Sequence, residues 1–88
     1  MILYTAYFTT VDKEKDNAIL DEHLKYIYKL LDDKVIVAKG PFTDHSGGLI
    51  IYNAKDMDEA LGFINSDPVI REGSRSVQVK EWKSTIEV

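Results

Sequence analysis

The sequence predicts an α+β fold of order βαββαβ: a four-stranded antiparallel sheet with two helices on one face. Two observations predict it. Short runs of β-branched and aromatic residues alternate with two longer stretches of helical periodicity. Those two stretches fall second and fifth among six elements, which is the split βαβ order. The length sets the scale, because 88 residues make one domain, here taken as 1–88. A chain this short buries only roughly 60% of the surface its unfolded form exposes.

Residues 2–9 read as the first strand. Ile2, Tyr4, Ala6 and Phe8 share one face, and Leu3, Thr5, Tyr7 and Thr9 the other, since strand side chains alternate. Residues from about 15 to 32 read as a helix, because Leu20, Leu24, Ile27 and Leu31 recur at helical spacing, widened by Ile19, Tyr28 and Leu30. Residues 34–39 form a short second strand. Gly40 and Pro41 end it, because proline has no amide hydrogen to give to a ladder. Residues 42–48 are a loop and 49–52 the third strand. Asp56 opens the second helix, with Glu59 at capping-box spacing and Met57, Ala60, Leu61 and Ile64 as its apolar stripe. Asp67-Pro68 stops it, since the residue before proline is pushed out of helical geometry. Residues 77–82 are the last strand. The result is a ferredoxin-like subunit.

The first and third strands carry apolar or aromatic side chains on both faces. An antiparallel sheet with one wet face alternates cleanly, so the face without helices is expected to pack on something. A second copy is the economical partner. A homodimer through the sheet faces is therefore expected, burying at least ~600 Å² per subunit.

Composition narrows the function classes. Lys plus Arg is 11 against 15 Asp plus Glu, a net charge of -4. That argues against nucleic acid, whose affinity is made largely by basic groups meeting phosphates. The third strand, Gly48-Leu49-Ile50-Ile51-Tyr52, also lacks the basic-glycine-aromatic signature of an RNA-binding sheet. No stretch approaches the ~20 apolar residues of a membrane span, and the start of the chain lacks a signal-peptide pattern. There is no cysteine, so no thiol can ligate metal or attack a substrate. A cytoplasmic location is expected, with no membrane partner.

His23 lies within the apolar stripe of the first helix. Imidazole titrates nearest neutrality, which suits a general acid or base; a core-edge histidine satisfied by a carbonyl is the plainer reading. Leucine at this position would bury more apolar surface, so a histidine kept for function is expected to be a poor choice for stability. Asp67 before Pro68 suits an N-cap of a short turn over 69–73, and one carboxylate oxygen would remain for another task. The loop Gly40-Pro41-Phe42-Thr43-Asp44-His45-Ser46-Gly47-Gly48 is long for a hairpin. Its glycines permit positive φ or close backbone approach, and Asp44 and Ser46 suit turn hydrogen bonds. It reads as the wall of a small-molecule cleft, with the amides of Gly47 and Gly48 available to an oxyanion. His45 reads as solvated. His23, His45, Asp44 and Asp67 show no short-range ligand spacing, so no metal is expected.

Glu22-His23-Leu24 with Tyr26-Ile27, Gly40-Pro41-Phe42 with Asp44 and Gly47-Gly48, and Glu59-Ala60 followed by Ser66-Asp67-Pro68 together resemble the YciI-like, or YCII-related, family of small dimeric α+β barrel proteins. The resemblance runs from the first strand to Trp82. It implies a subunit that dimerises through its sheets. It implies a catalytic pair, His23 and Asp67, with the loop of Gly40, Pro41 and Phe42 near it; with the loop reading above, the substrate-binding wall is expected from Gly40, Pro41, Phe42, Asp44, Gly47 and Gly48. Relatives include dehalogenases and isomerases of muconolactone-type lactones. Two positions depart from the pattern: Leu20, where an arginine is frequent, and Val69, where an aromatic residue is frequent.

The function expected is a small-molecule enzyme of the lyase, isomerase or dehalogenase type, moving a proton next to a carbonyl or lactone without a cofactor. The alternative is a non-catalytic dimeric module that binds a small ligand or a protein.

Overall fold

The computed structural model describes residues 1–88. In chain order the elements are β1 (Ile2–Thr10), α1 (Lys13–Ala18), α2 (Leu20–Asp32), β2 (Ile36–Pro41), β3 (Gly47–Tyr52), α3 (Met57–Asn65), α4 (Pro68–Arg71) and β4 (Arg75–Lys83). The strands form one antiparallel sheet of order β2-β3-β1-β4. The α+β class and the sheet are those the sequence predicts, but there are four helices rather than two.

The stretch expected as one helix is two. Asp12 caps α1, its Oδ1 accepting the Lys15 amide at 3.0 Å. The chain leaves helical geometry at Ile19 (φ -109, ψ 10) and α2 follows. The sequence of α1, Lys-Glu-Lys-Asp-Asn-Ala, has no apolar stripe, so its cap and polar contacts hold it rather than burial. In α2 the buried residues are His23, Ile27 and Leu30. The buried face is thus turned from the predicted stripe, and Leu20 is exposed.

Asp56 caps α3 as expected, accepting the Glu59 amide at 2.8 Å, while Glu59 reaches back to the Lys55 amide at 3.0 Å. The reciprocal bond closes one residue upstream of the usual box. Asp67 both ends the α3 region and starts α4, with Pro68 in its first turn. In α3, a Cβ on Gly62 would meet nothing within 4 Å. Gly62→Ala is therefore expected to raise stability by about 0.5–1 kcal/mol, seen as a higher urea midpoint.

β2 begins at Ile36 and includes Pro41, which a sheet edge tolerates. β3 begins at Gly47, so both glycines belong to the sheet and not to the loop. Gly48 stands between Phe8 and Pro41 in the ladder. Their role is close approach rather than positive φ: a Cβ on Gly47 would lie 1.8 Å from the Phe8 carbonyl oxygen, and one on Gly48 2.8 Å from that of Gly40. The left-handed residue of the loop is His45, with φ 64.

A bulge interrupts β2. Ile36 pairs with Tyr52, whereas Ala38 pairs with Ile51 and Lys39 with Ile50. The extra residue shifts the alternation by one. Ile36 and Lys39, three apart in sequence, thus stand on the same face, opposite the buried Tyr52 and Ile50.

The core lies between that face and the helices. Tyr4, Ala6 and Phe8 of β1, Ile50 and Tyr52 of β3, Ile27 and Leu30 of α2, and Ala60 and Ile64 of α3 form it with Ile36 and Val69. Full burial stabilises each larger side chain by about 1.5–3 kcal/mol. On the opposite face Tyr7 and Trp82 remain 40% and 38% exposed, beside the half-buried Leu49 and Ile51. No helix is long and apolar enough to cross a membrane.

Candidate functional site

His23, on α2, and Asp67, the N-cap of α4, are 44 residues apart in sequence and meet at 2.7 Å between Nδ1 and Oδ1. Both are buried, His23 at 5% exposure and Asp67 at 0%. The same Oδ1 accepts the Val69 amide at 3.1 Å, so the cap bond fixes the carboxylate that fixes the imidazole. A carboxylate can only accept, so Nδ1 donates this bond to Asp67. No protein group bonds Nε2.

Two buried polar atoms have no protein partner, Asp67 Oδ2 and the Tyr52 hydroxyl. Burial pushes the Tyr52 hydroxyl far above the usual tyrosine range, and the neighbouring Asp67 and Tyr26 add to this. Tyr52 is therefore a neutral phenol. Tyr26 donates to the Phe63 carbonyl at 2.6 Å, tying α2 to α3.

His23 lines a cavity of about 340 Å³. Phe8, Leu20, Leu24 and Ile50 supply its apolar wall, and Gly40, Pro41, Gly47 and Gly48 its edge toward β2 and β3. Of the other wall residues expected from the sequence, Phe42 borders a neighbouring depression and Asp44 lies outside both. Asp44 instead turns the loop, accepting the Ser46 amide at 3.0 Å. Hydrogen bonds from Ser46 hold its carboxyl below the ordinary aspartate value. His45 is exposed and lines the cavity. No three histidine, aspartate or glutamate side chains converge in a way that could hold a metal ion.

A second polar cluster borders the same cavity. Arg75, the first residue of β4, gives Nε to Asp16 Oδ1 at 2.8 Å and Nη2 to Oδ2 at 3.0 Å. Ser74 adds a hydroxyl bond to Oδ1 at 2.8 Å. Burial alone would raise the Asp16 carboxyl, but the bonds from Arg75 and Ser74 outweigh it and hold the group below its ordinary value. A lowered carboxyl contributes stability that is fully present above the unfolded value of ~3.9 and is lost as pH falls through the folded value. The stability difference between the protein and Asp16→Asn should hence be constant near neutrality and close below about pH 4. Urea midpoints at pH 7, 5, 4 and 3 measure it; a difference that grows in acid contradicts the pairing.

Sequence reasoning missed Asp16, Lys39, Ser74 and Arg75. Arg75 left a signal: it is in phase with Val77 and Val79, which pack against the core, so it stands on the helix-covered face.

Fold and pair together define the class: a ferredoxin-like α+β domain with a buried imidazole–carboxylate pair opening on a cavity. The chain belongs to the YCII-related domain family, whose pattern matches residues 1–83. It is 34% identical over 85 residues to the uncharacterised protein YjpA of Bacillus subtilis (strain 168), across 92% of this chain and 96% of that one. Among solved structures it is similar to TftG, the 5-chloro-2-hydroxyhydroquinone dehydrochlorinase of Burkholderia phenoliruptrix AC1100, in complex with 2,5-dihydroxybenzoquinone. That likeness has a TM-score of 0.78 at 25% identity, covering 92% of this chain and 93% of the other.

Proposed function

We propose that the chain is a small-molecule enzyme of the lyase, isomerase or dehalogenase type, with His23 as the proton-transfer group and Asp67 as its orienting partner. The observation that carries this reading is the 2.7 Å bond between Nδ1 and a fully buried carboxylate, on a histidine that also lines the cavity. Nε2 takes a proton from the carbon next to a carbonyl, and the C–H electron pair moves toward the carbonyl oxygen. Asp67 stabilises the imidazolium that forms. Return of the proton to another carbon gives an isomer. Alternatively the pair returns from oxygen to form a C=C bond as a halide on the next carbon departs with its bonding electrons, which is dehydrohalogenation, the class of reaction in the name of TftG. A positioned base supplies about 10²–10⁴-fold.

Chloride release from 5-chloro-2-hydroxyhydroquinone and proton exchange on a muconolactone test this, comparing the protein with His23→Asn. The expected result is turnover of at least one probe, lost by about 10²-fold or more in the variant. Binding of both probes without turnover of either overturns catalysis in favour of a binding module.

The sheet face bearing Tyr7, Leu49, Ile51 and Trp82 packs, in this reading, on a second copy of the chain. Half-exposed aromatic side chains clustered on one face support it. Light scattering should give about twice the 10.0 kDa of the chain; a value of one chain at micromolar concentration removes the dimer.

A further inference from the structure

The charge of the cavity wall is opposite to that of the chain. The chain carries 15 Asp plus Glu against 11 Lys plus Arg, yet no acidic side chain lines the cavity, while Lys39 and Arg75 do. Two acids behind the lining are engaged: Asp67 pairs with His23, and Asp16 with Arg75. Arg75 uses Nε and Nη2 on Asp16, which leaves the Nη1 donors unspent. Lys39 makes no salt bridge, and its Nζ lies 5.3 Å from the centroid of the Tyr28 ring. A cation over an aromatic face keeps its full charge and its hydrogens.

Lys39 is placed there by the bulge. Without the extra residue in β2, alternation from Ile36 would put Lys39 on the far side of the sheet. With it, Lys39 stands opposite Ile50, and both line the cavity. The helix side of the cavity supplies no cation, since Leu20 and Leu24 are its contributions beside His23.

We infer that the cavity selects a small organic anion, its oxyanion held by Lys39 and Arg75 while an adjacent carbon faces His23. The anion is a carboxylate or an ionised enol conjugated to the reacting carbon. This inference rests on the proposed site at His23. It assigns Lys39 and Arg75 a role in substrate choice: they hold the charge that a neighbouring proton abstraction delocalises onto oxygen.

Calorimetric binding tests it without requiring turnover. 2,5-Dihydroxybenzoquinone is a vinylogous acid, ionised at neutral pH, and 2,5-dimethoxybenzoquinone is its neutral counterpart on the same ring. Benzoate and benzamide form the second pair and separate carboxylate from enolate recognition. The expected result is that at least one anion binds more tightly than its neutral partner. That preference should weaken with added salt and fall by about ten- to hundredfold in Lys39→Met. Lys39 is exposed, so this variant should fold, and circular dichroism checks that it does. Lys39→Glu should abolish the preference. Equal binding of charged and neutral partners, or a preference unmoved by Lys39→Met and Arg75→Lys alike, overturns the inference. An anion preference that depends on Lys39 but comes with no turnover keeps the inference and removes catalysis. Turnover lost in His23→Asn but indifferent to Lys39 does the reverse.

Discussion

Replacing His23 by leucine lowers the stability of the protein by about 3–5 kcal/mol, the cost of breaking a buried pair from one side. Apolar burial alone argues the other way, because leucine fills a helical stripe position better than imidazole. The structure reverses the sign through Asp67. That carboxylate is 0% exposed, its Oδ2 has no protein partner, and His23 supplies one of the two bonds to Oδ1. Without the imidazole a charge is left in the interior with one amide to hold it. Set against a total stability of about 5–15 kcal/mol for a small domain, a loss of this size is a large fraction of the whole. His23→Leu combined with Asp67→Asn should recover part of the loss, because a neutral amide still accepts the Val69 bond. Urea midpoints for the two singles and the double give the coupling. A single variant within about 1 kcal/mol of the parent sinks the account. Stability by itself therefore does not separate a catalytic from a structural histidine here; the pair serves both ends.

The second large effect is expected at Gly47. Gly47→Ala places a methyl 1.8 Å from the Phe8 carbonyl oxygen, which is backbone and has no rotamer to yield. The β1–β3 ladder must part at the Thr9–Gly47 pair, at the edge of the cavity. A loss of about 3 kcal/mol or more is expected, at or beyond the upper end for overpacking. Gly40→Ala is the control, since its Cβ would meet nothing within 4 Å, and a change within about 0.5 kcal/mol is expected there. Thermal melts of the two variants decide. Equal melting temperatures would mean that the strands are not held at this separation.

The fold was legible because each element carries its own local signal. Tyr4, Ala6 and Phe8 alternate, Asp56 caps three residues before Glu59, and Asp67-Pro68 punctuates the chain. His23 and Asp67 were legible only through a family resemblance, since nothing local joins residues 44 apart. Lys39 was illegible for a different reason. A bulge is one unpaired residue, and the run Val35-Ile36-Val37-Ala38 is apolar at every position, so no alternation exists whose phase could be seen to slip. The break at Ile19 was hidden likewise, because an isoleucine in phase with a helical stripe gives no sign of leaving it.

Asp16 and His23 face Arg75 and Asp67 as two rungs between the start of the helical layer and the segment leading into β4. The rungs run in opposite senses, acid to base in one and base to acid in the other. Were residues 67–75 to dock in reverse, carboxylate would meet carboxylate and guanidinium would meet imidazole. That arrangement loses every hydrogen bond of the correct one and adds repulsion. The four side chains thus act as a two-toothed key that admits this segment in a single direction. The rungs close chain separations of 44 and 59 residues, contacts that local propensity does not specify. The groups that shape the cavity therefore also tell the last quarter of the chain which way round to lie.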